Sequence, residues 1–264
     1  MFKSVSKLIF LLVLLYSRPL YAQNETATGF DKLLYVSEKD TLHYRLLRPE
    51  NPGTKDAFPL VIFLHGAGER GNDNEVQVKH ITGLFLDPGN RIQYPSYVLA
   101  PQCPQGTTWA ARDREAPRVL MRDEPTRPMA MLIELITKIE NEFPIDRTRI
   151  YVTGLSMGGY GTWDLIARFP DRFAAAVPIC GGGDTRTAIA IRHVPIWAFH
   201  GALDKVVIPE HSRLMIKALQ DAGGNPGYTE YPGVGHDSWV NAYNDPQLLP
   251  WMFGQQLEKD AKAK

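Results

Sequence analysis

Short unbroken apolar runs alternate along this chain with segments whose apolar residues recur every third or fourth position. The runs at 59–64 (PLVIFL), 97–100 (YVLA), 149–153 (RIYVT), 174–179 (AAAVPI) and 194–199 (VPIWAF) read as strands. Near-continuous apolar character of this kind suits strands covered on both faces. Residues 42–46 (LHYRL) do alternate and closely follow 33–36 (LLYV), which predicts an opening hairpin. Residues 129–143 place Leu132, Ile133, Leu135, Ile136 and Ile139 on one helical stripe that Pro144 stops. Residues 160–169 form a second helix ending at Pro170. A third, 211–222, carries Leu214, Met215, Ala218 and Leu219 and ends at Gly223-Gly224, before a last strand at 228–231. Each stripe is core-facing. The alternation from Pro59 onward predicts an α/β fold with a mostly parallel central sheet and helices on both faces.

Two stretches, 69–94 and 105–128, fall outside this alternation and are assigned to pocket walls. Neither amounts to a large cap domain, so the site is expected to be open. Ahead of the fold, Lys3 and Lys7 precede the apolar residues 8–16, a run too short to span a bilayer and suited to a signal peptide cleaved after Ala22. That leaves residues 23–264 as one catalytic domain in a periplasmic or secreted protein, with no stable membrane insertion after cleavage. Lys plus Arg and Asp plus Glu are 29 each, so no overall field favours nucleic acid.

The chemistry is concentrated at strand ends. Gly154-Leu155-Ser156-Met157-Gly158-Gly159 follows the strand at 149–153 and opens a helix. A serine on such a strand-to-helix turn projects its hydroxyl out of the sheet, and glycines two places before and after it let the backbone bend. Ser156 is therefore the candidate nucleophile. A serine hydroxyl needs a histidine to take its proton and a carboxylate to orient that histidine. Asp204, after the strand at 194–199, and His236, in the glycine-flexed loop after the last strand, supply these in the order Ser, Asp, His. Asp184 and Asp237 are the alternative acids; Asp237 adjoins the base in sequence, where its side chain normally points elsewhere.

The tetrahedral intermediate needs donors for its oxyanion. The backbone N–H of Met157 is one candidate, and Ala67 or Gly68, in the glycine-rich loop after the strand at 59–64, the other. That loop lacks the glycine spacing and the Lys-Ser/Thr ending of a phosphate loop. No cofactor is implied. Cys103 and Cys180 follow strands that the usual order of such a sheet separates by two others, roughly 14 Å apart and beyond disulfide reach unless the loops fold inward. Without histidine partners at suitable spacing, they make no metal site.

Together, His65-Gly-Ala-Gly-Glu-Arg-Gly71, Ala100-Pro-Gln-Cys-Pro104, Gly154-Leu-Ser-Met-Gly-Gly159, His200-Gly-Ala-Leu-Asp204 and Gly235-His236 resemble the secreted carboxylesterase and "predicted peptidase" branch of the α/β-hydrolases. That branch lies near the phospholipase/carboxylesterase, dienelactone hydrolase and feruloyl or acetylxylan esterase groups. The resemblance covers about residues 30–255. It implies the α/β-hydrolase fold, Ser156, Asp204 and His236 as nucleophile, acid and base, and the loop after Gly66 as part of the oxyanion hole. It leaves the substrate open.

Serine carboxylester hydrolysis through an acyl-enzyme is the expected activity, with acetyl or feruloyl esters of plant cell-wall polysaccharide as the first substrate class. A serine peptidase of the prolyl-oligopeptidase-like type and a non-catalytic binding module on a hydrolase fold are the alternatives. A lipase would want an apolar lid, and neither pocket stretch is apolar throughout. Trp109, Trp239 and Arg70 are candidate substrate contacts. For Trp109 and Trp239 the competing role is a packing anchor; for Arg70 it is an ion pair with Glu69 that braces the oxyanion loop.

Overall fold

The computed structural model describes residues 29–37, 40–50, 57–111 and 119–258; the segment assigned to a signal peptide lies outside them. Strands β1 (Asp31–Val36), β2 (Thr41–Leu47) and β3 (Phe58–Leu64) come first. They are followed by the short helices α1 (Thr82–Phe85) and α2 (Pro88–Gln93), then β4 (Tyr97–Gln102), α3 (Arg127–Glu142), β5 (Ile145–Leu155), α4 (Met157–Arg168), β6 (Ala175–Ile179) and α5 (Ala188–Ile191). The chain continues through β7 (Trp197–Gly201), α6 (Glu210–Asp221), β8 (Gly227–Tyr231), α7 (Trp239–Tyr243) and α8 (Leu248–Phe253). No described helix is long and apolar enough to cross a membrane.

The eight strands form one sheet in the order β1-β2-β4-β3-β5-β6-β7-β8. The β1–β2 and β2–β4 pairs are antiparallel and every other pair is parallel, so the predicted hairpin forms one edge. This is the α/β-hydrolase fold. Alternate residues of β3 sort to two cores: Phe58, Leu60, Ile62 and Leu64 join α3, α4 and α6, while Val61 and Phe63 join α1, α7 and α8. A strand that must be apolar on both faces accounts for the unbroken PLVIFL run. Thr126 caps α3 by accepting the Met129 amide, and Pro128 fits the first turn, where its missing N–H has no partner to lose.

The two pocket stretches divide. Most of 69–94 packs outside the cavity described below: Asn74 accepts from buried Arg45 through its carbonyl, and Tyr94 packs at a tilt against Phe253. Only its start, at Arg70, reaches that cavity; from 105–128, residues Gly106, Thr107, Thr108 and Ala110 do. Cys103 and Cys180 are both free, buried thiols, following β4 and β6 with β3 and β5 between.

Glycines let α4 seat deep against the sheet. A Cβ on Gly158 would lie 1.8 Å from the Leu64 carbonyl oxygen, one on Gly159 2.4 Å from that of Ile179, and one on Gly154 2.4 Å from that of Gly158. All three obstacles are backbone atoms, which cannot swing aside. Gly158→Ala is therefore expected to lose about 3 kcal/mol or more, or to fail to fold. Gly68→Ala, whose Cβ meets nothing within 4 Å, is expected to change stability by less than about 0.5 kcal/mol. Urea denaturation measures both, and a Gly158→Ala protein as stable as wild type contradicts this packing.

Candidate active site

Ser156 lies between β5 and α4 with φ +53° and ψ −113°, a conformation that costs an L-residue roughly 1–3 kcal/mol. The surroundings hold it there. Its N–H donates to the Ile179 carbonyl at 2.9 Å, and its own carbonyl accepts the Tyr160 amide at 3.1 Å in the first turn of α4. The strand before it is clamped on both sides, Gly154 pairing with Leu64 of β3 and Leu155 with Ile179 of β6.

His236 Nε2 is 2.9 Å from Ser156 Oγ, and His236 Nδ1 is 2.7 Å from Asp204 Oδ2. A carboxylate beside Nδ1 requires the proton there, leaving Nε2 free to accept from the serine hydroxyl. Asp204 is buried, and its Oδ1 accepts the Val206 and Val207 amides, each at 2.9 Å. The loops bearing Asp204 and His236 are pressed together: a Cβ on Gly201 would come within 2.1 Å of the Gly235 carbonyl, and the Leu203 amide donates to the Val234 carbonyl. The alternative acids are placed elsewhere. Asp184 binds Arg186 and the Met121 amide, and Asp237 is exposed.

A cavity of about 510 Å³ opens over Ser156, with Ala67, Met157, Arg70, Thr107 and Tyr160 on its wall. Met157 and Ala67 thus flank the candidate nucleophile. Gly68 is exposed and does not line the cavity, which favours Ala67 as the second donor. Buried His65 fixes this loop. Burial lowers its pKa to about 4, so at neutral pH the ring carries one proton. Nε2 accepts the Cys103 amide at 2.8 Å, so Nδ1 donates to the Gly66 carbonyl at 2.6 Å.

Three expectations for this region need correction. Glu69 does not pair with Arg70: its buried carboxylate meets Lys79 Nζ at 2.7 Å and His80 Nε2 at 3.4 Å. Arg70 instead donates to the carbonyls of Ala67 and Thr107, which ties the loop after β3 to the adjoining 103–107 segment and leaves Arg70 on the cavity wall. Trp109 is wholly buried, donating to the His65 carbonyl and packing edge-on against that ring, so it supports the wall from behind. Trp239 is half-buried outside the lining, edge-on to both His236 and His80. It is a packing anchor for the histidine loop.

His80 and Lys79 were not singled out from the sequence. Their adjacency in a basic dipeptide is the one signal there, and it does not reveal that their partner is Glu69. Cys180, Asp204 and His236 bring potential ligand atoms within 4.8 Å of one another. This donor set does not suit a metal, because hydrogen bonds already engage Asp204 and His236 and burial pushes the Cys180 thiol up to about 12.

Burial alone would raise the Glu69 carboxyl, but hydrogen bonds from His80 and Lys79 outweigh it and bring the pKa to about 2. A folded-state value below the ordinary 4.5 means stability fully present above about pH 4.5 and lost as pH falls toward 2. Glu69→Gln is therefore expected to melt below wild type at pH 7, with the gap narrowing from pH 4.5 to pH 3. A gap that stays constant over this range contradicts the assignment.

The model of the Dienelactone hydrolase family matches residues 61–263. A solved structure described as a thermostable esterase superposes with a TM-score of 0.80 at 41% identity, covering 86% of this chain and 63% of that one. A secreted protein of Arthroderma benhamiae is 31% identical over 81% of this chain, and a bifunctional acetylxylan esterase/xylanase of Neocallimastix patriciarum 29% identical over 66%. The chain spans only 27% and 24% of the length of these two relatives. With most of its described strands, the turn at Ser156 and the loops bearing Ala67, Asp204 and His236 inside the matched region, the chain belongs to the dienelactone hydrolase family.

Proposed function

We propose that the protein is a serine carboxylester hydrolase working through an acyl-enzyme. The observation that carries this reading is the unbroken hydrogen-bonded chain from Ser156 Oγ through His236 to Asp204, at 2.9 and 2.7 Å, with Ser156 on the wall of an open cavity. In the first half-reaction His236 Nε2 takes the Ser156 proton as Oγ attacks the ester carbonyl. The Met157 and Ala67 amides face the oxygen that becomes negative, and Asp204 holds the imidazolium. His236 then passes the proton to the departing alcohol. Water, deprotonated by the same imidazole, attacks the acyl-serine carbon, and collapse releases the acid and restores Ser156.

Acetyl or feruloyl esters linked to plant cell-wall carbohydrate are the proposed substrate class. The acetylxylan esterase activity named for the Neocallimastix relative supports it, as does the esterase description of the 41%-identical structure. So does the cavity lining, where apolar Val206, Val207 and Met157 stand with polar Thr107, Thr108 and Arg70. Such a lining accepts an aromatic or acetyl group on a bulky polar carrier. Export to the periplasm or medium, with residues 1–22 removed as a signal peptide and residues 23–264 left as the catalytic domain, fits a polymeric substrate.

The test is turnover of p-nitrophenyl acetate, p-nitrophenyl butyrate, methyl ferulate, acetylated xylan and a peptide anilide by wild type and Ser156→Ala. Ester hydrolysis by wild type is expected to fall about 10⁴-fold or more in the variant. Turnover of the anilide in preference to every ester favours the peptidase reading. Equal turnover of the esters by both proteins contradicts the serine mechanism.

A further inference from the structure

His200, the residue of β7 just before Gly201, is wholly buried and touches the candidate triad from behind. Its Nε2 is 2.8 Å from the Val207 carbonyl and 3.3 Å from Asp204 Oδ2, the same oxygen that receives His236 Nδ1–H. Both oxygens are pure acceptors, so Nε2 carries a proton shared between them. On the ring's other side, Nδ1 is 2.8 Å from Ser212 Oγ, and Ser212 Oγ is 2.9 Å from the Gly181 carbonyl. Ser212 has one proton and serves one of those acceptors at a time.

Three ionisable groups surround the ring. Asp204 and His236 lie on the triad side. Glu230, the cross-strand partner of His200 on β8, is taken up by Arg213 and Tyr228. Burial is the main cause holding His200 below the ordinary histidine pKa, so the ring is neutral. A neutral ring with Nε2–H has a bare Nδ1, and the Ser212 hydroxyl must then point at it. With this arrangement four N–H groups converge on Asp204: Val206 and Val207 are hydrogen-bonded at Oδ1 and His236 at Oδ2, while His200 Nε2–H, whose shorter contact is the Val207 carbonyl, lies 3.3 Å from Oδ2. Four is about the full capacity of a carboxylate.

We propose that His200 is a positioning residue for the triad: its Nε2–H, fixed in place by Ser212, holds Asp204 Oδ2 in line with His236 Nδ1 and draws charge from that oxygen. This rests on the reading of Ser156, His236 and Asp204 given above. Without the second donor Asp204 is freer to rotate and its Oδ2 is a stronger acceptor, so it both aligns His236 less well and grips the imidazolium more tightly. The first effect lowers kcat; the second moves the acid limb of the pH–rate profile upward.

The experiment compares His200→Leu, which removes the donor, with His200→Gln, whose amide nitrogen reaches the place of Nε2, and with Ser212→Ala. Against the best ester of the panel, His200→Leu is expected to lose about tenfold or more in kcat with KM within about twofold. Its acid limb should rise by about half a pH unit, and His200→Gln should recover most of both. Ser212→Ala leaves the proton on Nε2, which still faces two acceptors, but removes the Nδ1 partner that fixes the ring, so it shifts the limb in the same direction by less. If His200→Leu does not fold, Ser212→Ala carries the test. A substrate-free readout accompanies these: the far-downfield proton NMR resonance of His236 Nδ1–H is expected to move in His200→Leu and Ser212→Ala and to return toward its place in His200→Gln. Folded variants with wild-type kcat, acid limb and resonance overturn the proposal. Equal losses in the Leu and Gln variants with an unmoved limb do so too, since that is the signature of packing alone. Wild type inert on every ester refutes the esterase reading instead, and the resonance then still decides whether His200 positions Asp204.

Discussion

The close approach of the first turn of α4 to the backbones of β3 and β6 governs the rest of the site. With Gly158 against Leu64 and Gly159 against Ile179, the chain leaves β5 and enters α4 with no slack, and Ser156 is the residue that absorbs the bend. Its left-handed conformation, unfavourable in isolation, is over-determined by strand pairing before it and helix hydrogen bonds after it. The hydroxyl's position is consequently set by backbone, at the carboxyl ends of the parallel strands where loops from several strands converge.

Those loops are tied together by buried neutral imidazoles and shared carbonyls more than by surface ion pairs. His65 joins the loop after β3, the candidate source of an oxyanion donor, to the end of β4, and Trp109 closes over it from below. Arg70 joins the same loop to Thr107 in the neighbouring segment. On the far side Asp204 anchors the next turn of its own loop through the Val206 and Val207 amides, and Gly201 lets the histidine loop pack flush against it. Glu69, His80, Trp239 and His236 form a further contact line from the oxyanion loop to the candidate base. A geometry that has to be held within a fraction of an ångström is thus braced from both sides.

Much of this was legible in the sequence. Unbroken apolar runs located the parallel strands, and Ser156, Asp204 and His236 stood out because each follows a strand and their order is constrained. What escaped prediction depended on partners distant in sequence or on the phase of a helix. Glu69 and Arg70 are neighbours in the chain, yet the fold turns one inward to Lys79 and His80 and the other toward the cavity. On α6 the apolar reading placed Leu214 and Ala218 in the buried stripe. Leu214 is exposed, and the buried face runs through Ser212, Met215, Ile216 and Leu219. A serine on that face looks like an interruption until His200 is seen opposite it. Trp109 resembled a loop aromatic, but Gly161 of α4 lets it approach closely, a long-range fit that no local pattern records.

Labelling with a fluorophosphonate, which needs a serine activated by an adjacent base, tests the central claim most directly. Intact mass and peptide mapping after treatment of wild type and His236→Ala read the outcome. One adduct per chain, on Ser156 and greatly slowed in His236→Ala, is the result this account predicts. An adduct on another residue, or labelling of Ser156 at the same rate in both proteins, contradicts it.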